Sequence, residues 1–273
     1  MNGLIIVRGG GDMATAVIHR LWRAGFRVLA LESQYPAAIR RQVAVSEAVY
    51  DGRAVVEGMT AVCVRDDAEM SRTWACGQVP LVVDPQAESI SRLKPMAVID
   101  AIIAKRNLGT RKDMAPLTIA LGPGFTAGED VHAVIETMRG HNLGRIITKG
   151  SAQPDTGIPG KIGGFAAERV IHAAVCGEIR HVCAIGDSVK PGETIAEIVS
   201  ESGTTPVMAP IPGLIRGLIR EGYAVTKGFK IADIDPRYGE YDNCFTISDK
   251  ARCIAGSVLE LVCAQISGKR GEE

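Results

Sequence analysis

Three glycines and one acid near the amino terminus carry the first chemical signal in this 273-residue chain. Gly9, Gly11 and Ala14 are spaced G-x-G-x-x-A, and Glu32 follows about twenty residues on, as in dinucleotide sites. Glycines let backbone approach a pyrophosphate, a helix N-terminus presents unpaired N–H groups, and the acid can accept from a ribose hydroxyl. The ligand-binding candidates are therefore Gly9, Gly10, Gly11, Asp12, Met13, Ala14 and Glu32. Asp12 would oppose a pyrophosphate by its charge, so its expected role is to cap the helix. Arg40 and Arg41 suit phosphate recognition, although such a pair more often forms a solvated face. A second glycine loop, Gly122-Pro123-Gly124-Phe125, could hold an anion on the N–H groups of Gly122, Gly124 and Phe125. It lacks the Gly-Lys-Ser/Thr of a P-loop, so ATP hydrolysis is not indicated.

Other polar residues give weaker signals. Asp84, Asp100 and Lys105 could line the carboxyl edge of a sheet, and Asp100 is the carboxylate available as a base. His132 and Glu136, four apart, read as support on a helix surface. The stretch Thr156–Gly164, with Lys149 and Lys161 near it, reads as a lid, a phosphate grip or a linker. Seven cysteines, at 63, 76, 176, 183, 244, 253 and 263, form no C-x-x-C. Scattered among apolar residues, they point to reduced, buried thiols and no metal site, with Cys244 or Cys253 the candidates for a reactive thiol.

The elements that must position these groups follow from periodicity. Leu4–Val7 is a short apolar run suited to a strand covered on both faces. Ala14, Val17, Ile18 and Leu21 mark one face of a helix, Gly25 ends it, and Arg27–Leu31 resumes an extended run. Strands at Ala61–Val64 and Val79–Val83, with a helix at Asp66–Ala75 between them, continue the alternation. The expected fold is α/β, with a Rossmann-like doubly wound parallel sheet over residues 1–110. An α/β segment with glycine-rich loops follows over 111–170, including a strand to Leu121 and an amphipathic helix carrying Val131, Val134, Ile135 and Met138. A C-terminal segment over 237–273 ends in a helix whose Ile254, Val258, Leu261 and Val262 dock on the core.

Between these lies an internal repeat, over 171–236. Gly177 aligns with Gly213, Ile179 with Ile215, Arg180 with Arg216, Gly186 with Gly222, Val189 with Val225 and Gly192 with Gly228, at a constant offset of 36. Neither copy can bury its apolar face alone, so the two must pack together. The pattern A-P-x-x-G-x-I…G-x-x-V-x-x-G from Ala209 to Gly228 resembles the biotinyl and lipoyl carrier domains, which implies a small all-β barrel-sandwich hybrid. Those carriers modify a lysine at a hairpin tip. The matching region, Val199–Pro212, has no lysine, so neither biotin nor lipoate is expected.

Bulk composition excludes some partners. Lys plus Arg and Asp plus Glu balance at 31 each, so no basic field points to nucleic acid or an anionic membrane. Aromatics at 4% leave few platforms for stacking bases. The start of the chain lacks a charged leader and no apolar run has spanning length, so a soluble, cytoplasmic protein is expected.

The segments V-R-G-G-G-D-M-A, A-I-R-R-Q-V-A-V-S-E-A-V-Y-D-G, A-L-G-P-G-F-T-A-G-E-D-V-H-A-V-I-E-T-M-R-G-H-N-L-G-R and S-D-K-A-R-C-I-A-G-S-V-L-E, in this order, resemble the YqeB-type accessory proteins of selenium-dependent molybdenum hydroxylases. The first sheet is also similar to the nucleotide-binding domain of XdhC-type chaperones. The resemblance implies a maturation factor that binds molybdopterin, its cytidine dinucleotide form or a related anionic nucleotide, and delivers or modifies it for a client molybdenum hydroxylase. A homo-oligomer is compatible with this role. Two other readings of the same residues are an NAD-dependent oxidoreductase using the glycine turn, and a non-catalytic adaptor that binds protein through the repeat. No catalytic constellation is evident.

Overall fold

The computed structural model describes residues 3–157 and 160–268. The chain divides into two compact units. Unit 1 takes the amino-terminal segment through Pro36, then Ala44–Thr156 and the segment from Ile247; unit 2 takes Ala37–Val43 and Gly157–Thr246.

Unit 1 is built on a nine-stranded sheet. Its strands are β1 (Leu4–Arg8), β2 (Arg27–Glu32), β3 (Arg53–Val56), β4 (Met59–Cys63), β5 (Val79–Val83), β6 (Ala97–Asp100), β7 (Leu117–Leu121), β8 (Ala133–Ile135) and β9 (Ile146–Ile147). They are ordered β3-β4-β5-β2-β1-β6-β7-β8-β9. All neighbours from β4 to β8 run parallel, while β3 and β9 pair antiparallel at the edges. The sheet is thus mixed. Its helices are α1 (Asp12–Arg23), α2 (Ala48–Asp51), α3 (Asp67–Ala75), α4 (Glu88–Leu93) and α5 (Asp249–Ser267).

The doubly wound expectation fails beyond β6. There, β6 joins β7 and β7 joins β8 through stretches whose only helical turn is Lys112–Met114. The amphipathic helix expected around Val131–Met138 does not form. Val134 and Ile135 are fully buried in β8, alongside β7, because a short apolar run fits a buried strand as well as a helix face. With no crossover helix at this end of the sheet, α5 takes the place, packing on α1, β7 and β8. Ile254, Val258 and Val262 of α5 are fully buried, each stabilising the unit by roughly 1.5–3 kcal/mol. Residues 111–156 therefore belong to the same sheet as the amino-terminal strands, not to a separate segment.

Unit 2 comprises β10 (Val170–His172), β11 (Gly177–His181), β12 (Ser188–Val189), β13 (Thr194–Ser200), β14 (Gly203–Met208), β15 (Gly213–Leu218), β16 (Ala224–Val225) and β17 (Lys230–Asp235). They form two separate four-stranded antiparallel sheets, β10-β17-β15-β12 and β14-β13-β11-β16. These two sheets stand in place of the carrier-type barrel-sandwich hybrid expected from the Ala209–Gly228 pattern. Each sheet takes its short last strand from the other copy of the repeat: β12 pairs with β15, and β16 with β11. Ile179, Ile195, Ile198, Ile215, Leu218, Ile231 and Ile234 fill one shared core.

The repeat also shows why glycine begins each copy. A Cβ on Gly177 would lie 2.4 Å from the Val199 carbonyl oxygen, and one on Gly213 would lie 2.2 Å from that of Asp235. Val199 and Asp235 are themselves one repeat apart. Gly213→Ala should destabilise unit 2 by about 1–3 kcal/mol through this backbone clash, read as a lower urea midpoint for the β-sheet signal.

Candidate functional site

The carboxyl ends of the parallel strands share one edge of unit 1, and strand order reverses between β1 and β6, where ligands of open α/β sheets enter. That crevice is closed by the protein itself. Gly9, at φ +105°, lets the Ala101–Ile102 backbone approach, and a Cβ there would sit 3.0 Å from the Ala101 oxygen. Beneath it, Arg8 and Asp100 are register partners on β1 and β6, and both are buried. Thr110 accepts a short hydrogen bond from Arg8 and donates to Asp100 Oδ2 at 2.6 Å, while Arg8 stands 3.6 Å from the same carboxylate oxygen. Burial pushes the Asp100 pKa up, opposed by Thr110 and Arg8. Asp100 is thereby an ion-pair partner in the interior rather than an accessible base.

The glycine turn is also largely engaged. Gly10 N–H donates to Glu32 Oε2 at 2.7 Å and Ser33 N–H to Glu32 Oε1 at 2.7 Å, so both oxygens meant for a ribose already accept backbone amides. Burial raises the Glu32 pKa and these bonds oppose the rise. Ser46 N–H donates to Gly10 O at 2.9 Å, and a Cβ on Gly10 would lie 2.9 Å from Ser46 N. Thr15 ties the same place together, donating to Gly10 O and accepting from Val45 N–H. Gly11 differs. It caps α1 with extended backbone and no side-chain bond, and a Cβ there would meet nothing within 4 Å. Asp12 is the first residue of α1 rather than its cap, and its Oδ1 accepts from Met13 N–H at 2.9 Å. Met13 is partly exposed and Ala14 fully buried.

The second glycine loop is close-packed. A Cβ on Gly122 would fall 2.7 Å from Thr137 Oγ1, and one on Gly124 would fall 2.6 Å from Arg106 N. Phe125 is buried in a small core with Val131 and Val134. Arg40 and Arg41 belong to unit 2. The buried Arg40 donates to the carbonyls of Asn243 and Thr246, and Arg41 donates to that of Leu218 at 2.8 Å. Asp84 caps α4 through the amides of Glu88 and Ser89. Glu136 accepts from the amides of Met138 and Gln153, while His132 bonds Thr118, so the expected helical pair does not exist. Lys105 pairs with Asp155 at 2.5 Å. In the Thr156–Gly164 loop, residues 158 and 159 lie outside the described residues. Burial pushes the Cys244 thiol upward, and Cys253 donates to the Leu143 carbonyl, so neither shows the activation a nucleophile needs.

The residue that sequence reasoning missed is Lys250. It stands in the first turn of α5, begun by Ser248, whose Oγ accepts from Ala251 N–H. Burial holds its pKa below the ordinary lysine value and Arg139 acts in the same direction, while Asp12, Asp155 and Glu136 oppose. Arg139 itself is held by Asp249 through two bonds at 2.9 and 3.0 Å. Charges from α1, from just past the end of β8 and from the loop after β9 thus act on Lys250. Among the described residues, no group of three or more His, Cys, Asp or Glu is placed to hold a metal ion. No helix among them is long and apolar enough to cross a membrane.

No family model matches the sequence. A curated relative, the uncharacterized protein YqeB of Escherichia coli (strain K12), is 51% identical over 257 residues, covering 94% of this chain and 47% of the relative. The chain therefore spans about half the length of the curated relative it matches. Similar solved structures include the product-bound ectoine utilization protein EutE (DoeB) from Ruegeria pomeroyi, at 11% identity, TM-score 0.28 and 86% of both chains. An aspartoacylase family protein from Mesorhizobium loti matches at 11% identity and TM-score 0.29, over 86% of this chain and 85% of that one. A succinylglutamate desuccinylase/aspartoacylase from Rhodobacter sphaeroides matches at 14% identity and TM-score 0.24, over 76% and 57%. The relative bears the YqeB name that the motifs pointed to and is uncharacterized, so it carries no assigned role in molybdenum hydroxylase maturation. The solved structures named above bear ectoine utilization, desuccinylase and aspartoacylase names, not that of the XdhC-type domain expected for the first sheet.

The Arg8–Thr110–Asp100 network gives a direct prediction. Arg8→Met strands a buried carboxylate and should cost about 3–5 kcal/mol, whereas Arg8→Met with Asp100→Leu should recover most of it. Chemical denaturation of the two variants checks this.

Proposed function

We propose that the chain is an accessory protein of the cytoplasm that holds an anionic small molecule at the carboxyl edge of unit 1. The observation that carries this reading is Lys250, a half-buried cation in the first turn of α5, with Asp12 at the open start of α1 among the charges that act on it. Gly11 leaves the first turn of α1 accessible, and the positive end of a helix favours an anion there. Holding a ligand without turnover suits an edge at which the acids Glu32 and Asp100 are occupied by backbone amides, a hydroxyl and an arginine. Delivery or modification of a molybdopterin-type or nucleotide ligand for a client enzyme is the specific form of this proposal, and it rests on the sequence motifs alone.

Isothermal titration with molybdopterin cytidine dinucleotide, cytidine diphosphate and inorganic pyrophosphate tests the reading. At least one should bind, and Lys250→Met should weaken it by roughly 10–100-fold, the loss of one charge-assisted contact worth about 1.5–3 kcal/mol. Failure of all three to bind, or unchanged affinity in the variant, would overturn it. Because the lysine pKa is lowered, the wild-type affinity should fall with rising pH before the ordinary lysine range is reached. Over that window the unfolded chain holds the extra proton, so stability should rise with pH as binding weakens.

A further inference from the structure

The two halves of unit 2 differ in what covers them. In the second half, the turn Tyr241–Cys244 packs on β15. Cys244 donates to the Ile215 carbonyl, and a Cβ on Gly186 would meet the Tyr241 ring at 2.8 Å and the Phe245 ring at 3.1 Å. The repeat maps Ile215 onto Ile179 and Gly186 onto Gly222. At that position a Cβ on Gly222 would meet only the Glu178 carboxylate, at 3.7 Å. An open groove of about 730 Å³ lies here, lined by Ile179, Arg180, Ser200, Glu201 and Glu221 among others.

The ion pairs repeat in the same way. Arg216 stands 3.6 Å from Asp233, with both side chains largely buried. Its counterpart, Arg180 bound to Glu197 at 2.7 Å, leaves the arginine 57% exposed. The pair persists while its cover is missing. The residues around it turn acidic: Arg237, Leu214 and Ile185 of the covered half correspond to Glu201, Glu178 and Glu221 in the open one, one charge reversed and two neutral positions made acidic. The turn that fills the covered half is itself acidic, with Glu240 and Asp242, and Arg237 lies beside Glu240.

We infer that the open groove beside β11 is a docking site for a basic turn bearing an aromatic residue, supplied by a partner protein. The aromatic takes the place over Gly222 that Tyr241 and Phe245 take over Gly186, and the basic residues face Glu178, Glu201 and Glu221. This chain's own turn cannot serve, since it is acidic and already seated in its groove.

Fluorescence anisotropy on the full chain tests this with two labelled peptides. One carries the sequence of residues 239–247 unchanged, and the other carries it with Glu240→Lys and Asp242→Lys. The charge-reversed peptide should bind saturably and ~10-fold or more tighter than the unchanged one, with affinity falling as salt rises. Glu178→Lys with Glu201→Lys changes two exposed residues, so the fold should persist by circular dichroism, and the preference between peptides should reverse. Absence of saturable binding, equal affinity for both peptides, or a preference that survives the double substitution would overturn the proposal. Sedimentation showing a dimer that the double variant abolishes would also overturn it, by assigning the groove to a second copy of this chain.

Discussion

A single half-buried carboxylate sets the shape of unit 1's working edge. Glu32, at the end of β2, accepts the amides of Gly10 and Ser33, and so clamps the turn after β1 against its neighbouring strand. Charge-assisted bonds of this kind oppose the burial that raises its pKa without cancelling it. With Gly10 held, Ser46 and Thr15 can close around the turn from the other side. Gly9 can then accept the close approach of Ala101. What stays open is Gly11 and the start of α1, and this is why the candidate site moves away from the glycines toward Lys250.

Unit 2 obeys a different constraint. A duplicated segment must satisfy its hydrogen bonds in two copies at once, and it does so by lending each sheet a strand from the other copy. The exchange makes both copies interdependent, as expected of a repeat that cannot bury its own face. Equivalent glycines face equivalent carbonyls, and equivalent arginine–acid pairs span equivalent strands. Differences between the halves are therefore informative, because the shared geometry is held constant.

Much of the local structure was legible because its signals are local. The run from β1 through α1 to β2 follows apolar periodicity, and the repeat shows itself by a constant offset. Asp66 before α3 and Ser248 before α5 both act as the caps their residue types suggest, accepting from the amides of Glu69 and Ala251. Features decided by distant partners were hidden. Val134 and Ile135 fit a helix face or a buried strand equally, and only pairing with β7 decides. Arg40 and Arg41 looked like phosphate ligands but satisfy backbone carbonyls of residues far along the chain. Glu32 had the spacing of a ribose acceptor, yet its environment assigns it to the turn. Lys250 carried no local mark, since the groups acting on it come from α1, β8 and the segments that follow.

The claim that most needs a direct answer is that unit 1 holds an anionic small molecule beside Lys250. Mass spectrometry of compounds released on denaturing protein purified without added ligand addresses it, with wild type and Lys250→Met prepared in parallel. The account predicts a phosphate- or carboxylate-bearing compound at near-equal ratio to the wild-type chain and strongly depleted in the variant. Release of that compound in the same amount from both proteins would contradict it.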